Sequence, residues 1–573
     1  MKTLFSYICV LLLISLSADC IGSEISDSYG ADVPFTTYEA EAPGNTTTGK
    51  TVHLSYPSES LDSSPELEAS GRAYVVLTDI GQYLECPHVI AANTVVIRHC
   101  IPDSPTGGGI SATLALYVNG VYRQSLTLSS RHNWLYGSAG TNGQSNNPLD
   151  GHPHVFWDES RFFITGGIKQ GDTLRLQKTD ADTAGFYKID LIDLEMAGPP
   201  LSAPSTPYLS VKDYGAMGKG LGDDDTSAIQ RCINDAALQN KIAWIPAGRY
   251  DISAKLVING VTVQGAGMWY TEIIATGIGS VSGGKPSFQL KGENPHVRDL
   301  FFDGDYNTSR GRDAYYAFSG PAHNWSVENV WITHTGTGFW MSLSSNGLIR
   351  GNRVRFTYAD GINLNRGTSS TVVENNHVRG TGDDGIAVLS EVNNPVSNGN
   401  TIRHNTVIAP WWGLNLDLAG GTGHNIQYNY LADNSLNAAF GINLPGSYPM
   451  FPVSNCTFSD NRIVRGGGNA SRQQRGAIWI YPGSTSISGM TIKNNIIEKP
   501  IFSGIQLAGS KSQQISFMDN VIHDPSTYGI IVTSSVSGTG SFTGNSVSGN
   551  NSSYSQFQNN SKGYVVTTSG NSW

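Results

Sequence analysis

Three aspartates in this sequence combine a short stretch of chain with a telling spacing. Asp360 stands immediately before Gly361-Ile362, and Asp384 immediately before Gly385-Ile386, 24 residues further on. Asp383 adjoins Asp384. If that interval is one turn of a coiled chain, the two backbones stack about 4.8 Å apart, the spacing of neighbouring strands. Three carboxylates then converge on one edge. Like charges that close repel, so at least one should hold its proton to higher pH than a free aspartic acid. A protonated acid beside an ionised carboxylate is what glycoside hydrolysis requires. One Asp-Gly alone is a common turn pair. Two of them at this spacing, one with a doubled Asp, point to chemistry.

The elements that would position these acids are written as an internal repeat. An Asn, any residue, then Val, Ile or Leu recurs at Asn352, Asn376, Asn405, Asn429, Asn461, Asn494, Asn520 and Asn545. A Gly followed by an apolar residue runs in step at Gly338, Gly361, Gly385, Gly413, Gly441, Gly504 and Gly529. This period predicts a solenoid whose coils each contain three short strands and three turns. The Asn side chains can stack as a ladder in one turn, and Gly gives the backbone freedom where the next strand begins. The Leu-x-x-Leu-x-Leu signature of leucine-rich repeats is absent. The Gly marker aligns Trp412 and Phe440 with Asp384 in the following coils, with Trp411 and Trp340 nearby. Aromatic side chains above a carboxylate cluster make a platform for sugar rings, which present apolar C–H faces. Trp411, Trp412, Trp340 and Asn363 are therefore the expected substrate-binding residues.

The rest of the chain frames this region. The 573 residues leave room for two or three domains. Only 14% are charged, 66 are Gly, and the net charge is −10. That balance argues against nucleic acid, which needs a basic face, and weighs against an acidic polymer. Lys2 followed by the apolar run Phe5 to Leu16 reads as an export signal over residues 1–22, too short for a mature membrane span. Cys20 admits a lipid-anchored reading. Secretion permits disulfides, and Cys86 and Cys100 could pair or remain separate buried thiols. The stretch Gly198-Pro-Pro-Leu-Ser-Ala-Pro-Ser-Thr-Pro207 is a linker, because four prolines cannot sit in a helix or a central strand. Before it, residues 35–197 alternate short apolar strands with turns, as an antiparallel β-sandwich does. After it, residues 208–573 open with one helix, capped at Asp225-Thr226, and then the repeat. The expected fold is all-β: a right-handed parallel β-helix preceded by an antiparallel β-sandwich. A monomer is expected.

Several of these segments resemble known families. Asp223-Asp-Asp-Thr226 through Ile245-Pro-Ala-Gly-Arg-Tyr250 resembles the opening of pectate-lyase-superfamily β-helices, where a helix plugs the first coil. Tyr38-Glu-Ala-Glu41 and Lys188-Ile-Asp-Leu-Ile-Asp-Leu-Glu195 resemble the first and last strands of carbohydrate-binding β-sandwiches of families 6 and 35. That resemblance implies a structural calcium held by Glu39, Glu41 and Asp190, whose hard oxygens suit it. Tyr358-Ala-Asp-Gly361 with Gly382-Asp-Asp-Gly-Ile-Ala-Val388 resembles the polygalacturonase active site, and more closely glycoside hydrolase family 87, the α-1,3-glucanases. That family joins a β-sandwich to a β-helix and inverts at the anomeric carbon. The resemblance implies Asp383 as general acid and Asp360 and Asp384 as activators of water. An acid and base flanking a water should lie roughly 6.5–9.5 Å apart. The Arg-x-Lys pair with which polygalacturonases hold a uronate is absent, which favours a neutral α-glucan over pectin, although Arg366, His377, Arg379 and His404 lie near in sequence. A polygalacturonase-like hydrolase, a calcium-dependent lyase and a non-catalytic carbohydrate-binding surface protein are the competing readings. No cofactor is expected for catalysis.

Overall fold

The computed structural model describes residues 29–55, 64–137, 145–277, 285–306, 315–444, 449–469, 473–483 and 485–573. The export-signal stretch and Cys20 lie outside them. Among the described residues no helix is long and apolar enough to cross a membrane.

Residues 35–195 form two large antiparallel sheets and a two-stranded one, Trp134–Leu135 with His154–Val155. One runs Asp158–Ile168, Ala92–Cys100, Tyr187–Glu195, Ala73–Leu77, Lys50–His53, with Phe35–Glu39 also pairing to Tyr187–Glu195. The other runs Thr46–Thr47, Tyr83–Cys86, Leu174–Gln177, Ser111–Val118, Val121–Ser129. Alternate residues such as Val95, Ile97, Leu114, Leu116, Leu174 and Leu176 fill the space between them, as the pleat of each strand dictates. Cys86 and Cys100 are separate buried thiols. They sit on different sheets, Cys86 inside the sandwich and Cys100 in a cluster on the outer side, and burial pushes both up to about 12.

From residue 208 the chain winds into a parallel β-helix with a 27-stranded and a 13-stranded sheet. The helix Thr226–Leu238 lies over the first coil and buries Ile229, Cys232, Ile233 and Ala236 against its core, covering an apolar end that would otherwise face water. Its cap differs from expectation. Asp225 turns back to accept the N–H groups of Met217 and Gly218, and Asp224 accepts the Thr226 N–H at 3.0 Å.

The Asn ladder is present as a buried column. The Asn352 amide donates to Asn376 Oδ1 at 2.9 Å, Asn376 to Asn405 at 2.9 Å, and Asn405 to Asn429 at 3.0 Å. Each carbonyl oxygen also accepts the backbone N–H of the Asn before it. The column continues through Asn461, Asn495, Asn520, Asn545 and Asn571. Asn494 is not a rung: its neighbour Asn495 is, and both satisfy the Asn-x-apolar pattern.

The sandwich does not hang from its linker. Its larger sheet docks on the β-helix through buried ion pairs. Arg355 and Arg379, in register on adjacent coils, both bond Glu159, at 3.0 and 2.7 Å. Arg379 also bonds Asp193 at 2.6 Å, and Arg353 pairs with Glu195 at 2.8 Å. His334 of the β-helix is gripped at both ring nitrogens, by Asp158 at 2.8 Å and Asp303 at 2.9 Å, and stacks on His132 at 3.6 Å. The facing carboxylates hold its imidazolium well above the usual histidine range, against the pull of burial.

Candidate active site

Asp360 and Asp384 occupy equivalent places in adjacent coils. Gly361 N–H bonds the Asp384 carbonyl and Ile362 N–H the Gly385 carbonyl, leading into the paired strands Ile362–Asn365 and Ile386–Leu389. Glycine is required because the coils approach closely here. A Cβ on Gly361 would sit 2.5 Å from the Gly385 carbonyl oxygen, and one on Gly382 2.2 Å from that of Tyr358. Asp360 Oδ1 accepts the backbone N–H of Asp384 at 3.1 Å, and Oδ2 accepts the Asn363 side-chain amide at 2.6 Å. Asn363 is thus a buried partner of the acid, and its side-chain oxygen in turn accepts from the Asn365 amide. Asp384 Oδ1 accepts the Leu414 N–H at 2.7 Å. Thr381 Oγ1 donates to the Asp383 carbonyl at 3.0 Å and pins that turn.

One oxygen from each of Asp360, Asp383 and Asp384 lies within 4.8 Å of the others. These nearest-oxygen distances are shorter than the roughly 6.5–9.5 Å separation expected between acid and base. Burial, then the charges of Asp417, Asp383 and Asp360, hold Asp384 well above the usual carboxylate range. The cluster therefore retains a proton, as three crowded acids must.

The aromatic platform needs correcting. Gly385 N–H bonds the Leu414 carbonyl, and Ile386 pairs with Leu416. The place equivalent to Asp384 is therefore Leu414, two residues beyond Trp412, and after it Ala438. Phe440 points into the solenoid core. Trp411 is 3% exposed and packs edge-on against Phe156 and His154 of the sandwich, at 4.8 and 5.4 Å between ring centres. It supports the acid turn from beneath and offers no face to a ligand. Trp412 is half-buried against the same cluster. Trp340 does face outward. It stacks with Tyr316 at 5.1 Å and 10°, and pairs in register with Asn363.

Asp417, Tyr316, Trp479 and Arg475 are site residues that sequence reasoning missed. Ser319, Trp340, Asn363, Ala387, Asp417, Gly441 and Trp479 form one outward-facing column across successive coils. Asp417 follows the true register position Asn415 by two, so aligning Asn415 with Gly385 would have found it. Burial, opposed by the Asn443 N–H and reinforced by Asp383 and Asp360, holds Asp417 well above the carboxylate range. The cations near in sequence are engaged elsewhere. Arg366 pairs with Glu391 at 3.1 Å, His404 stacks on Tyr428, and His377 and Arg379 are buried under the sandwich.

Glu39, Glu41 and Asp190 form a second acidic group, on the face of the sandwich that meets the β-helix near Asp433 and Arg379. Glu39 Oε2, Glu41 Oε2 and Asp190 Oδ1 are buried without a hydrogen-bond partner. Burial, then mutual repulsion, pushes Glu39 up to about 8 and Glu41 up to about 9, while burial raises Asp190 to about 6 against its ion pair with Arg98. Orphaned, mutually repelling carboxylates fit a hard cation. Their donor atoms are not all within 4.8 Å of one another, unlike those of Asp360, Asp383 and Asp384 and those of His132, Asp158 and His334.

The family model for α-1,3-glucanase catalytic domain D1 matches residues 32–197, and that for catalytic domain D2 matches residues 224–573. The chain belongs to the α-1,3-glucanase catalytic-domain family. Within this family, sandwich and β-helix are both parts of the catalytic unit, which agrees with their buried interface here. Solved relatives superpose over nearly the whole chain. The Agl-KA catalytic domain is 26% identical with a TM-score of 0.82, covering 94% of this chain and 98% of its own. A GH87 α-1,3-glucanase catalytic domain in complex with nigerose is 26% identical with a TM-score of 0.81, covering 95% and 100%. The catalytic unit of the GH87 enzyme from Streptomyces thermodiastaticus is 25% identical with a TM-score of 0.81, covering 95% and 97%. Three sugar complexes in this group carry a single Asp→Ala change, the second and third lying 23 and 24 positions after the first. A curated relative, a mannuronan C5-epimerase of Azotobacter vinelandii, is 32% identical over 115 residues, and the match spans only 21% of that protein. The chain is a glycoside hydrolase of the glucanase type.

Proposed function

We propose that this chain is a secreted enzyme that hydrolyses α-1,3-glucosidic linkages within a neutral polysaccharide, with inversion at the anomeric carbon. Asp383 is the general acid, and Asp360 and Asp384 activate the water. One observation carries the assignment. Asp383 and Asp384 lie 23 and 24 positions after Asp360, the spacing of the aspartates replaced in the tetrasaccharide and nigerose complexes, and their carboxylates meet at one edge. The Asp360 and Asp384 backbones are joined across adjacent coils, so both can face one water. Trp340 and Tyr316 supply an aromatic wall for the sugar chain.

Reducing-sugar release should be seen on α-1,3-glucan, with little on β-glucans or polygalacturonate. Release on polygalacturonate alone would replace the reading with a pectinolytic one, and no release on any glycan would support a binding protein. NMR of the first product should show the inverted anomer. The short carboxylate separation favours a second reading, a double displacement with retention, for which about 5–5.5 Å is typical. The product anomer decides between the two.

We further propose that calcium binds Glu39, Glu41 and Asp190 and displaces the protons that burial and mutual repulsion otherwise hold on these carboxyls to higher pH. At about a hundred times its dissociation constant, it would contribute about 2.7 kcal/mol. A chelator should therefore lower the melting temperature by several degrees, and calcium should restore it. Glu41→Gln should abolish that response. An unchanged melting temperature on chelation would overturn the proposal.

A further inference from the structure

Asp417 has a place in the cleft that the three-acid mechanism leaves unused. It stands on the strand Leu416–Ala419, three residues beyond Leu414, whose N–H holds Asp384. In the coil of Asp360 the residue three places on is Asn363, which donates to the acid. In the coil of Asp384 that residue is Ala387, which has no donor, and Asp417 follows it directly in the outward column. Asp417 is flanked in the column by the small residues Ala387 and Gly441, with the Leu414 side chain packed over Gly441.

Asp417 is 4% exposed, and its Oδ1 accepts the Asn443 N–H at 3.2 Å. That is the side chain's one hydrogen bond to another side chain or backbone group outside its own strand among the described residues. Beyond Gly441 the column reaches Trp479, with the Arg475 guanidinium 4.1 Å above its ring and bonded to Asn437. Arg475 Nε is buried without a partner. The acids thus have the Trp340–Tyr316 stack on one side and Trp479 with the Arg475 guanidinium over its ring on the other.

We propose that Asp417 is a substrate-contacting residue of this active site: from its place beside Ala387, three residues beyond the backbone N–H that holds Asp384, it accepts a hydroxyl of the bound glucan beside the scissile bond. This rests on the reading that Asp384 serves as a base. The groups facing Asp384 are Asp417, Asp383 and Asp360, and those facing Asp417 are Asp383, Asp360 and, from the far side, Arg475. Asp417 comes first among the charges that raise Asp384. Removing it lowers the pH at which Asp384 ionises.

The test compares wild type with Asp417→Asn, whose amide oxygen can still accept the Asn443 N–H, and with Asp417→Ser in case the first variant folds poorly. Turnover of α-1,3-glucan oligosaccharides is followed across pH. The acidic limb of kcat/KM should move down by about one pH unit, and KM should rise about tenfold, as loss of a hydrogen bond to a charged group implies. A profile that falls in height without moving, with KM unchanged, would overturn the inference and leave Asp417 a structural residue. Movement of the alkaline limb instead would uphold Asp417 and overturn the assignment of Asp384 as base. An inactive wild type would sink the proposed function itself, which keeps the two failures distinct.

Discussion

Asp383→Asn is expected to fold as the wild type does and to lose about 10²–10⁴ in turnover, the usual contribution of a positioned general acid. The fold should survive because the Asp383 turn is held by backbone contacts, through Thr381 Oγ1 and the close packing at Gly382. The amide keeps the shape and removes the proton donor. Asp360→Asn should lose as much activity and some stability as well. Asp360 accepts two N–H groups, from Asp384 and Asn363, one on each oxygen, and an amide in its place has a single acceptor oxygen and turns an NH2 donor toward the other N–H.

Asp384→Asn should lose activity yet gain stability. Its folded-state pKa is raised, so the native state binds the proton more tightly than the unfolded chain does. Stability is therefore lost as pH rises from the ordinary carboxylate range through the raised value. The amide carries no charge and escapes that loss. The melting temperature of the variant should exceed that of wild type by more at pH 8 than at pH 4. Near-wild-type turnover in any of the three variants would remove that residue from the mechanism, and an equal melting difference at both pH values would refute the repulsion.

Arg379→Met is expected to cost about 3–5 kcal/mol, the usual consequence of leaving a buried charge without its partner. Arg379 bridges Glu159 and Asp193, both on the sandwich, from the middle of the β-helix wall. Its neighbour Arg355 can still serve Glu159, but among the described residues Asp193 would keep only the Thr37 hydroxyl as a side-chain hydrogen-bond donor. The same interface places Phe156 and His154 under Trp411 and so under the acid turn, so turnover should fall along with stability. Arg350→Met is the control. Arg350 is half-exposed and pairs with Glu328 and Glu374 at the surface, where such pairs contribute at most about 1 kcal/mol. Urea unfolding of both variants measures the contrast. Equal losses would mean that the sandwich is carried as a passenger, its docking of no consequence for stability.

Much of this was written locally. Strand pairing in a solenoid repeats one coil on the next, so a side chain that works in one turn recurs at a near-constant interval. Asn352, Asn376, Asn405 and Asn429 were legible for that reason, and so were Asp360 and Asp384, separated by a coil without insertions. The Pro-rich stretch and the alternation of Ala73–Leu77 or Ala112–Val118 likewise follow from backbone geometry alone.

What only the tertiary structure decided begins where that interval breaks. The coil after Asp384 is longer, so Gly413 and Asn415 compete for one register position, and the pairing of Ile386 with Leu416 chooses Asn415. That choice moves Trp412 off the acids, sends Phe440 into the core and brings Asp417 into the cleft. Trp411 was read as a platform because a sequence does not show what covers a ring. His154 and Phe156 cover it from another domain, more than 250 positions away in the chain. The grip of Arg355 and Arg379 on Glu159 spans 196 and 220 positions. Periodicity carries no information over such distances, because these contacts arise where the surfaces of two domains meet. The acid cluster belongs to the repeat, and the cover over Trp411 beneath its turn belongs to the packing between the domains.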